Sequence, residues 1–178
     1  MRQNAKSVSP LSNEARTAYT IEHITAALLE LLKDCPFSEI TVSEICSHAR
    51  VGRASFYRNF ESKEDVLKKW LDQVTDNFVS GSAISLERDS PTEYFTKLFT
   101  HMMEYREICF ILHKAGLTQL LRDEFDRRFL LSYREVYGEF KSCFLSGGIF
   151  NIVISWLVRG CPETPGEIAG KLAEILRK

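Results

Sequence analysis

The stretch TVSEICSHARVGRASFYRNFESK, residues 41–63, decides the fold of the first part of this chain. It holds two short helical patterns, each with apolar residues three or four positions apart, separated by a gap of a few residues. The charged side chains between Ile45 and Phe60 are Arg50, Arg53 and Arg58, with no acid among them. Two short helices around a tight turn with clustered positive charge are typical of a helix-turn-helix, which indicates DNA as the partner.

Local signals give the bounds of these two helices. The Thr41 hydroxyl can cap the first helix while Glu44 reaches back to the same residue, so we predict a capping box. Gly52 is expected to take a backbone angle closed to other residues and to turn the chain sharply. The second helix is then expected to run from Arg53 to Asn59.

The second helix has two different faces. Phe56 and Phe60 stand four positions apart and predict a buried apolar ridge. The opposite face presents hydrogen-bond donors and one ring, which suit phosphate oxygens and base edges: Arg53, Ser55, Tyr57, Arg58 and Asn59. The alternative is the solvated surface of an ordinary helical hairpin, but the clustered arginines favour DNA.

The segment GRASFYRNFESKEDVL, residues 52–67, resembles the signature of the TetR family of transcriptional repressors. The resemblance implies an all-α fold, with an N-terminal three-helix helix-turn-helix DNA-binding domain and a C-terminal helical domain for ligand binding and dimerisation. It also implies the DNA-contacting positions, which are Thr41, Val42, Ser43, Arg53, Ala54, Ser55, Tyr57, Arg58, Asn59 and Lys63. Asn59 stands where family members commonly carry histidine, and its amide can still donate to a phosphate. Lys63 is expected on a phosphate at the start of the next helix.

The rest of the chain is organised by helical periodicity and by proline and glycine signals. We expect a flexible arm over 1–11, the helix-turn-helix domain over 12–61 and the effector-binding and dimerisation domain over 62–178. The first helix is expected at 12–34. In the last domain the patterns predict helices near 62–80, 91–105, 107–115, 118–145, 148–159 and 165–177. Gly147 and Gly148 are expected to break the chain between the fourth and fifth of these.

Composition narrows the function classes. The 178 residues carry 23 Lys and Arg against 24 Asp and Glu, a net charge of -1, so the chain is not a general polycation. Five cysteines without a CxxC pair and the lack of a charged-then-apolar leader favour a reducing cytoplasm. The apolar runs are far shorter than a membrane span, so we expect no membrane partner.

The predicted C-terminal domain is rich in aromatic and methionine side chains, which at helical spacing first predict a packed core. The resemblance places an effector pocket among its helices, and the candidate residues are Phe95, Phe99, Met102, Met103, His113, Tyr133 and Tyr137.

His101, Cys109 and His113 could share a helix face, but a turn near Arg106 separates them, so we expect no metal and no cofactor. No nucleophile elbow, phosphate loop or HExxH motif occurs, which disfavours an enzyme.

The segment after Gly148 is apolar on most of its helical circumference, and such a helix needs cover on several sides. The resemblance implies that the last two helices pair with those of a second copy. The interface residues are then Ile149, Ile152, Val153, Trp156, Leu157, Leu172 and Ile175. Burial within one chain is the alternative. Residues 133–169 also resemble a subgroup that includes regulators near dihydroxyacetone kinases.

The sequence therefore predicts a ligand-responsive repressor that binds a palindromic double-stranded DNA operator as a homodimer and responds to a small-molecule effector. Two alternatives come from other classes of protein. One is a helical protein-interaction adaptor in which the basic stretch is incidental. The other is a small-molecule enzyme that uses a cavity in the helical domain.

Overall fold

The structure is a computed structural model that describes residues 12–82 and 90–177. The predicted arm over 1–11 lies outside the described residues. Within the described ranges the chain forms nine α-helices and no strand, which confirms the all-α prediction. They are α1 Asn13–Asp34, α2 Val42–Ala49, α3 Arg53–Asn59, α4 Lys63–Ser82, α5 Pro91–Glu104, α6 Arg106–Lys114, α7 Thr118–Tyr137, α8 Glu139–Val158 and α9 Pro165–Arg177.

The chain divides into two compact units, Met1–Leu67 and Lys68–Lys178. The helix α4 is continuous across this division, since its first five residues belong to the first unit and the remainder to the second. The boundary predicted from the sequence falls at residue 62, before this helix begins.

The first unit is built on α1, which packs against both α2 and α3. The hydroxyl of Ser12 caps the start of α1 by accepting from the amide of Ala15 at 3.1 Å. Ile24, Leu28 and Leu32 recur at four-residue spacing, which puts them on one face of the helix, and they are buried. These side chains form the unit's core together with apolar residues of α2, α3 and the start of α4.

The second unit is a helical bundle in which α5 packs on α9 and α7 packs on α8. Its core is aromatic at the centre, where the rings of Phe99 and Trp156 meet edge to face with centroids 5.2 Å apart. The indole amine of Trp156 donates to the carbonyl of Glu163 at 3.0 Å, so the polar end of this fully buried side chain is satisfied.

The break between α7 and α8 differs from the sequence prediction. Gly147 and Gly148 lie inside α8, and the chain turns instead at Gly138. Gly138 has φ 76° and ψ 168°, a backbone conformation that side chains with a Cβ rarely adopt, whereas glycine adopts it freely. The prediction of a break at Gly147-Gly148 was wrong because glycine within a helix costs only about 1 kcal/mol, which packing readily offsets.

Among the described helices, α8 alone is long and apolar enough to pass a length-and-composition test for a membrane span. A buried core helix passes the same test, and much of α8 is buried in the core of the second unit. Packing therefore explains the apolar side of α8 that faces the core, while Phe140 and Phe144 on the same helix are exposed.

Candidate functional site

The start of α2 has the predicted capping box. The amide of Glu44 donates to the Thr41 hydroxyl at 3.2 Å, and the Thr41 amide donates to the Glu44 carboxylate at 2.8 Å. Hydrogen bonds from the Thr41 side chain and backbone hold the pKa of Glu44 below its ordinary value. Thr41 and Ser43 are exposed and Val42 is half-buried, so this end of α2 faces outward with a fixed backbone.

The turn between α2 and α3 is made differently from the prediction. Arg50 takes the left-handed conformation at φ 54°, and its amide donates to the Ser47 carbonyl. Gly52 has an ordinary extended backbone at φ -76° and begins α3 without a side-chain cap. The turn therefore lies where the sequence predicted it, but Arg50 takes the left-handed conformation that was expected of Gly52. Arg50 is exposed, which adds a third outward arginine to those of α3.

The helix α3 spans Arg53–Asn59, as predicted, and its two faces are confirmed. Phe56 is fully buried and Phe60 is 2% exposed, while the ring of Tyr57 is 52% exposed. Arg53 lies 6.0 Å from the centroid of the Tyr57 ring, which puts a cation beside an aromatic face on the outer surface.

The other predicted contacts on α3 differ in how far their side chains are free to reach DNA. Arg58 and Ala54 are exposed. Asn59 is half-buried and its side-chain amide donates to the Ser55 carbonyl at 2.7 Å. One of the two amide donors of Asn59 is thus already used within the helix.

Lys63 has a role that the sequence did not predict. Its ammonium donates to the carbonyls of Phe37, Ser38 and Ile40 at 2.5, 3.4 and 2.7 Å, and it lies over the Phe37 ring. An ammonium has three N–H donors, so this set uses all of them. The prediction that Lys63 contacts a phosphate is therefore corrected: its ammonium binds three backbone carbonyls of the same chain. The partners are 23 to 26 residues away in sequence, a distance over which no local motif could indicate them.

The second unit contains a cavity of about 80 Å³. Its wall is mostly apolar and comes from five helices and the α5–α6 junction. The lining residues are Trp70, Leu71, Val74, Thr75, Met102, Tyr105, Cys109, Leu121, Glu124, Phe125, Phe150, Val153, Ile154 and Leu157. Burial, with the nearby Cys161, raises the pKa of the Cys109 thiol to about 11, so this thiol is uncharged at neutral pH.

An ion-pair cluster lies beside this cavity and joins α4 to α7. Glu124, which is 5% exposed, accepts from Arg127 at 2.5 and 3.0 Å and from Arg128 at 3.1 Å. Arg127 also binds Asp72, and Arg128 binds Asp72 at 3.0 Å and Asp76 at 2.6 Å. Burial alone would raise the pKa of Asp72, but hydrogen bonds within the cluster and the two arginine charges hold it below its ordinary value. The Glu-x-x-Arg-Arg spacing in α7 was visible in the sequence as an i, i+3, i+4 pattern.

A groove of about 300 Å³ runs between α8 and α9. Ile152, Ile168, Leu172 and Ile175 supply apolar wall, and the charged side chains that line it are Arg159, Glu163 and Lys171. Glu163 accepts from Arg159 at 3.2 Å and from Lys171 at 3.1 Å.

Comparison with protein families settles the class. Residues 24–69 match the family described as bacterial regulatory proteins of the TetR family, and residues 89–178 match the C-terminal region of a transcriptional regulator family. The chain belongs to the TetR family. Such regulators are not enzymes, which excludes the enzyme alternative.

Three solved structures share the fold of this chain. A TetR transcriptional regulator from Streptococcus agalactiae has a similar structure, with a TM-score of 0.67 at 21% identity over 92% of this chain and 96% of the other. Lin0861 from Listeria innocua gives a TM-score of 0.71 at 17% identity over 98% of both chains. The dihydroxyacetone kinase operon activator DhaS gives 0.58 at 14% identity over 89% of this chain and 94% of the other. At these identities the structures show a shared fold.

A curated relative is the uncharacterized HTH-type transcriptional regulator YxbF of Bacillus subtilis, 25% identical over 171 positions. The match covers 86% of this chain and 43% of the relative. The TetR-family chain thus spans about two fifths of the length of this relative.

The residues predicted to line an effector pocket are spread over the second unit. Of the seven, Met102 lines the cavity described above and the other six do not. Phe95 and Phe99 are fully buried in the packed core, away from this cavity. Tyr133 donates to the Tyr94 hydroxyl at 3.3 Å, and His113 is hydrogen-bonded to Thr118 at 2.8 Å. Met103 accepts a weak hydrogen bond from Arg106, and the ring of Tyr137 packs 6.0 Å from that of Tyr133.

The predicted interface residues divide into two groups. The structure buries five of them inside one chain, with at most 5% exposed: Ile149, Val153, Trp156, Leu157 and Leu172. Their assignment to an interface surface is corrected, because they lie in the core of one chain, where α5, α6 and α7 pack against α8 and α5 packs against α9. Ile152 is half-buried and Ile175 is 63% exposed, and both line the α8–α9 groove. Burial within the chain, the alternative left open by the sequence, applies to the first group.

Proposed function

We propose that this protein is a ligand-responsive repressor that binds a palindromic operator as a homodimer in the cytoplasm. The observation that carries the DNA part is the outer face of α3, where Arg53, Tyr57 and Arg58 are exposed above a buried phenylalanine ridge. With Arg50 they form a cationic surface free of acids from residue 45 to residue 60. A short helix with this face suits the major groove, whose base edges accept hydrogen bonds from arginine.

The proposed DNA interface assigns different tasks to different residues. Arg53, Ala54, Ser55 and Arg58 face base edges, and Tyr57 and Asn59 contact phosphates. The start of α2, at Thr41, Val42 and Ser43, meets the DNA backbone. Lys63 instead fixes the loop before α2 through its three carbonyl partners and so holds Thr41 in place.

The proposed dimer forms through the outer side of α8 and the α8–α9 groove. Phe140 and Phe144 are 91% and 74% exposed. The exposed residues Gly148, Asn151 and Ser155 follow at spacings of three or four positions, so all five lie on one side of the helix. Large exposed rings are costly in a monomer, and an apolar surface next to a groove suits a second copy of the same helix. The proposed interface comprises the rings of Phe140 and Phe144 together with Ile152 and Ile175. The charged residues of the α8–α9 groove surround it.

A dimer would place two recognition helices about 34 to 36 Å apart, so that they enter successive major grooves. An effector that changes the position of α4 changes this separation and lowers operator affinity. Ligand and DNA then oppose each other through one coupling free energy.

A mobility-shift assay with random genomic fragments, at low and moderate salt, tests the DNA part. We expect salt-dependent binding, with log K falling linearly against log salt. The interaction adaptor predicts no such binding. Analytical ultracentrifugation tests the dimer: Phe144→Glu should give a folded monomer, and a variant that stays dimeric would place the interface elsewhere.

A further inference from the structure

Thr75 and Glu124, two polar residues in the wall of the second unit's cavity, are already hydrogen-bonded within the protein. The hydroxyl of Thr75 donates to the Leu71 carbonyl at 2.8 Å. Both carboxylate oxygens of Glu124 accept from Arg127, and one also accepts from Arg128. The thiol of Cys109 is uncharged at neutral pH. Among the described residues, no buried side-chain nitrogen or oxygen is left without a hydrogen-bond partner.

This wall sets the charge of a bound molecule. A charged ligand would lose its hydration on entry, and the one carboxylate in the wall, Glu124, is already paired with two arginines. The wall therefore offers no unpaired opposite charge, and the transfer of a charged ligand would be strongly unfavourable. The other polar side-chain atoms of the lining residues are the uncharged indole N–H of Trp70 and hydroxyl of Tyr105, and the remaining side-chain atoms of the wall are carbon and sulfur. The rings of Trp70 and Tyr105 stand edge to face 6.1 Å apart, and those of Phe125 and Phe150 are 5.7 Å apart. Such a wall attracts an uncharged ring or aliphatic group by dispersion and edge-to-face contacts.

The cavity also limits the size of its occupant. Its volume of about 80 Å³ is well below the roughly 300 to 1,000 Å³ of sites for drug-sized ligands. An engineered apolar cavity of about 150 Å³ in another protein holds benzene. The present cavity is about half that size, so a single ring is the upper limit and fits only if the wall moves, as the flexible thioether of Met102 allows.

We propose that this cavity is a binding site for a compact, uncharged, apolar molecule no larger than one aromatic ring. The inference rests on the proposed function in one respect, namely that the bound molecule is the effector. The link to regulation is the wall itself: Trp70, Leu71, Val74 and Thr75 all come from α4. Asp72 and Asp76 on the same turns of α4 bind Arg127 and Arg128 of α7. A molecule bound between α4 and α7 would oppose the ion pairs that hold these two helices together.

The test uses 5-fluorotryptophan, because the chain has two tryptophans, one on the cavity wall and one in the core. Fluorine NMR of the full chain should show two resonances, and Trp70→Phe assigns them. We expect toluene to shift the Trp70 resonance and to leave that of Trp156 in place. Benzoate and benzylammonium have nearly the same shape but carry a charge, so each should bind at least tenfold more weakly.

Matched variants locate the site. Ile154 and Ile152 are both half-buried on α8, but Ile154 lines the cavity and Ile152 lines the α8–α9 groove. Ile154→Phe should weaken toluene binding at least tenfold, whereas Ile152→Phe should change it less than twofold. If urea unfolding shows that Ile154→Phe does not fold, Leu121→Phe replaces it in the binding test, because this variant fills the cavity from α7.

Three results would overturn the inference: no toluene shift at Trp70, equal loss in both isoleucine variants, or tighter binding of benzylammonium than of toluene. The last would make Glu124 a cation anchor. The mobility-shift assay run without toluene reports on DNA binding alone, and the same assay with toluene reports on ligand response. Failure of the cavity is thus distinguishable from failure of the proposed function.

Discussion

The two units of this chain expose opposite kinds of surface. The first unit buries Phe56 and Phe60 and presents arginines and one tyrosine on α3. The second unit buries one side of α8 and still presents Phe140, Phe144 and Ile175 to solvent. A polar outer face suits a charged polymer such as DNA, whereas an apolar outer face suits a second protein surface. The contrast matches the proposed division between DNA recognition in the first unit and dimer assembly in the second, and each prediction below tests one side of it.

The largest effect is expected at Trp156, which is fully buried against Phe99. Trp156→Glu places a charge in the core and should cost at least about 4 kcal/mol of folding free energy. The second unit should unfold. Ile175→Glu, at a side chain 63% exposed, is the matched control and should stay folded. Urea unfolding followed by circular dichroism checks both, and a well-folded Trp156→Glu monomer would restore the interface role of this residue.

The next effect compares two neighbouring aromatic residues on α3. Phe56→Ala should destabilise the first unit by roughly 3 to 5 kcal/mol, because it empties a fully buried site. Tyr57→Ala should cost under about 1 kcal/mol and instead weaken DNA binding. Thermal melts and mobility shifts on the same preparations measure the two effects. Equal destabilisation by both variants would contradict the assignment of faces.

Lys63 and Arg53 separate a structural cation from a DNA-binding one. Lys63→Met should lower stability by about 1 to 3 kcal/mol, because three carbonyls lose a charged donor. The salt dependence of its remaining DNA binding should be unchanged. Arg53→Ala should leave stability nearly intact and relax base preference if the side chain reads an edge. If Lys63→Met reduces the salt slope by about 0.9, the lysine contacts a phosphate after all.

The smallest effect concerns two glycines. Gly138→Ala should destabilise the second unit by about 1 kcal/mol, because φ 76° is unfavourable for a residue with a Cβ. Gly148→Ala should stabilise the monomer unit by about 0.5 to 1 kcal/mol, since its new methyl group meets open space within a helix. Differential scanning calorimetry of each variant gives the signs. If Gly138→Ala stabilised the protein and Gly148→Ala destabilised it, the break between α7 and α8 would lie at Gly147-Gly148, as the sequence predicted.

The sequence predicted the first unit closely and the second only in outline. The capping box, the bounds of α3 and the burial of Phe56 and Phe60 all depend on residues within four positions of each other, and all are confirmed. The TetR resemblance rested on that same stretch. In the second unit the bounds of α9 were predicted correctly, but the α7–α8 break and most of the cavity wall were not.

The sequence by itself determined the helical class, the family and the outward face of the recognition helix, because helical periodicity, capping and charge clustering act over a few residues. Only the tertiary structure decided which side of α8 is buried, since a helix apolar all round carries no periodic signal. It also decided that Lys63 binds carbonyls 23 to 26 residues away and that Glu124 meets Asp72 through two arginines. These contacts join distant parts of the chain, and no local pattern encodes them.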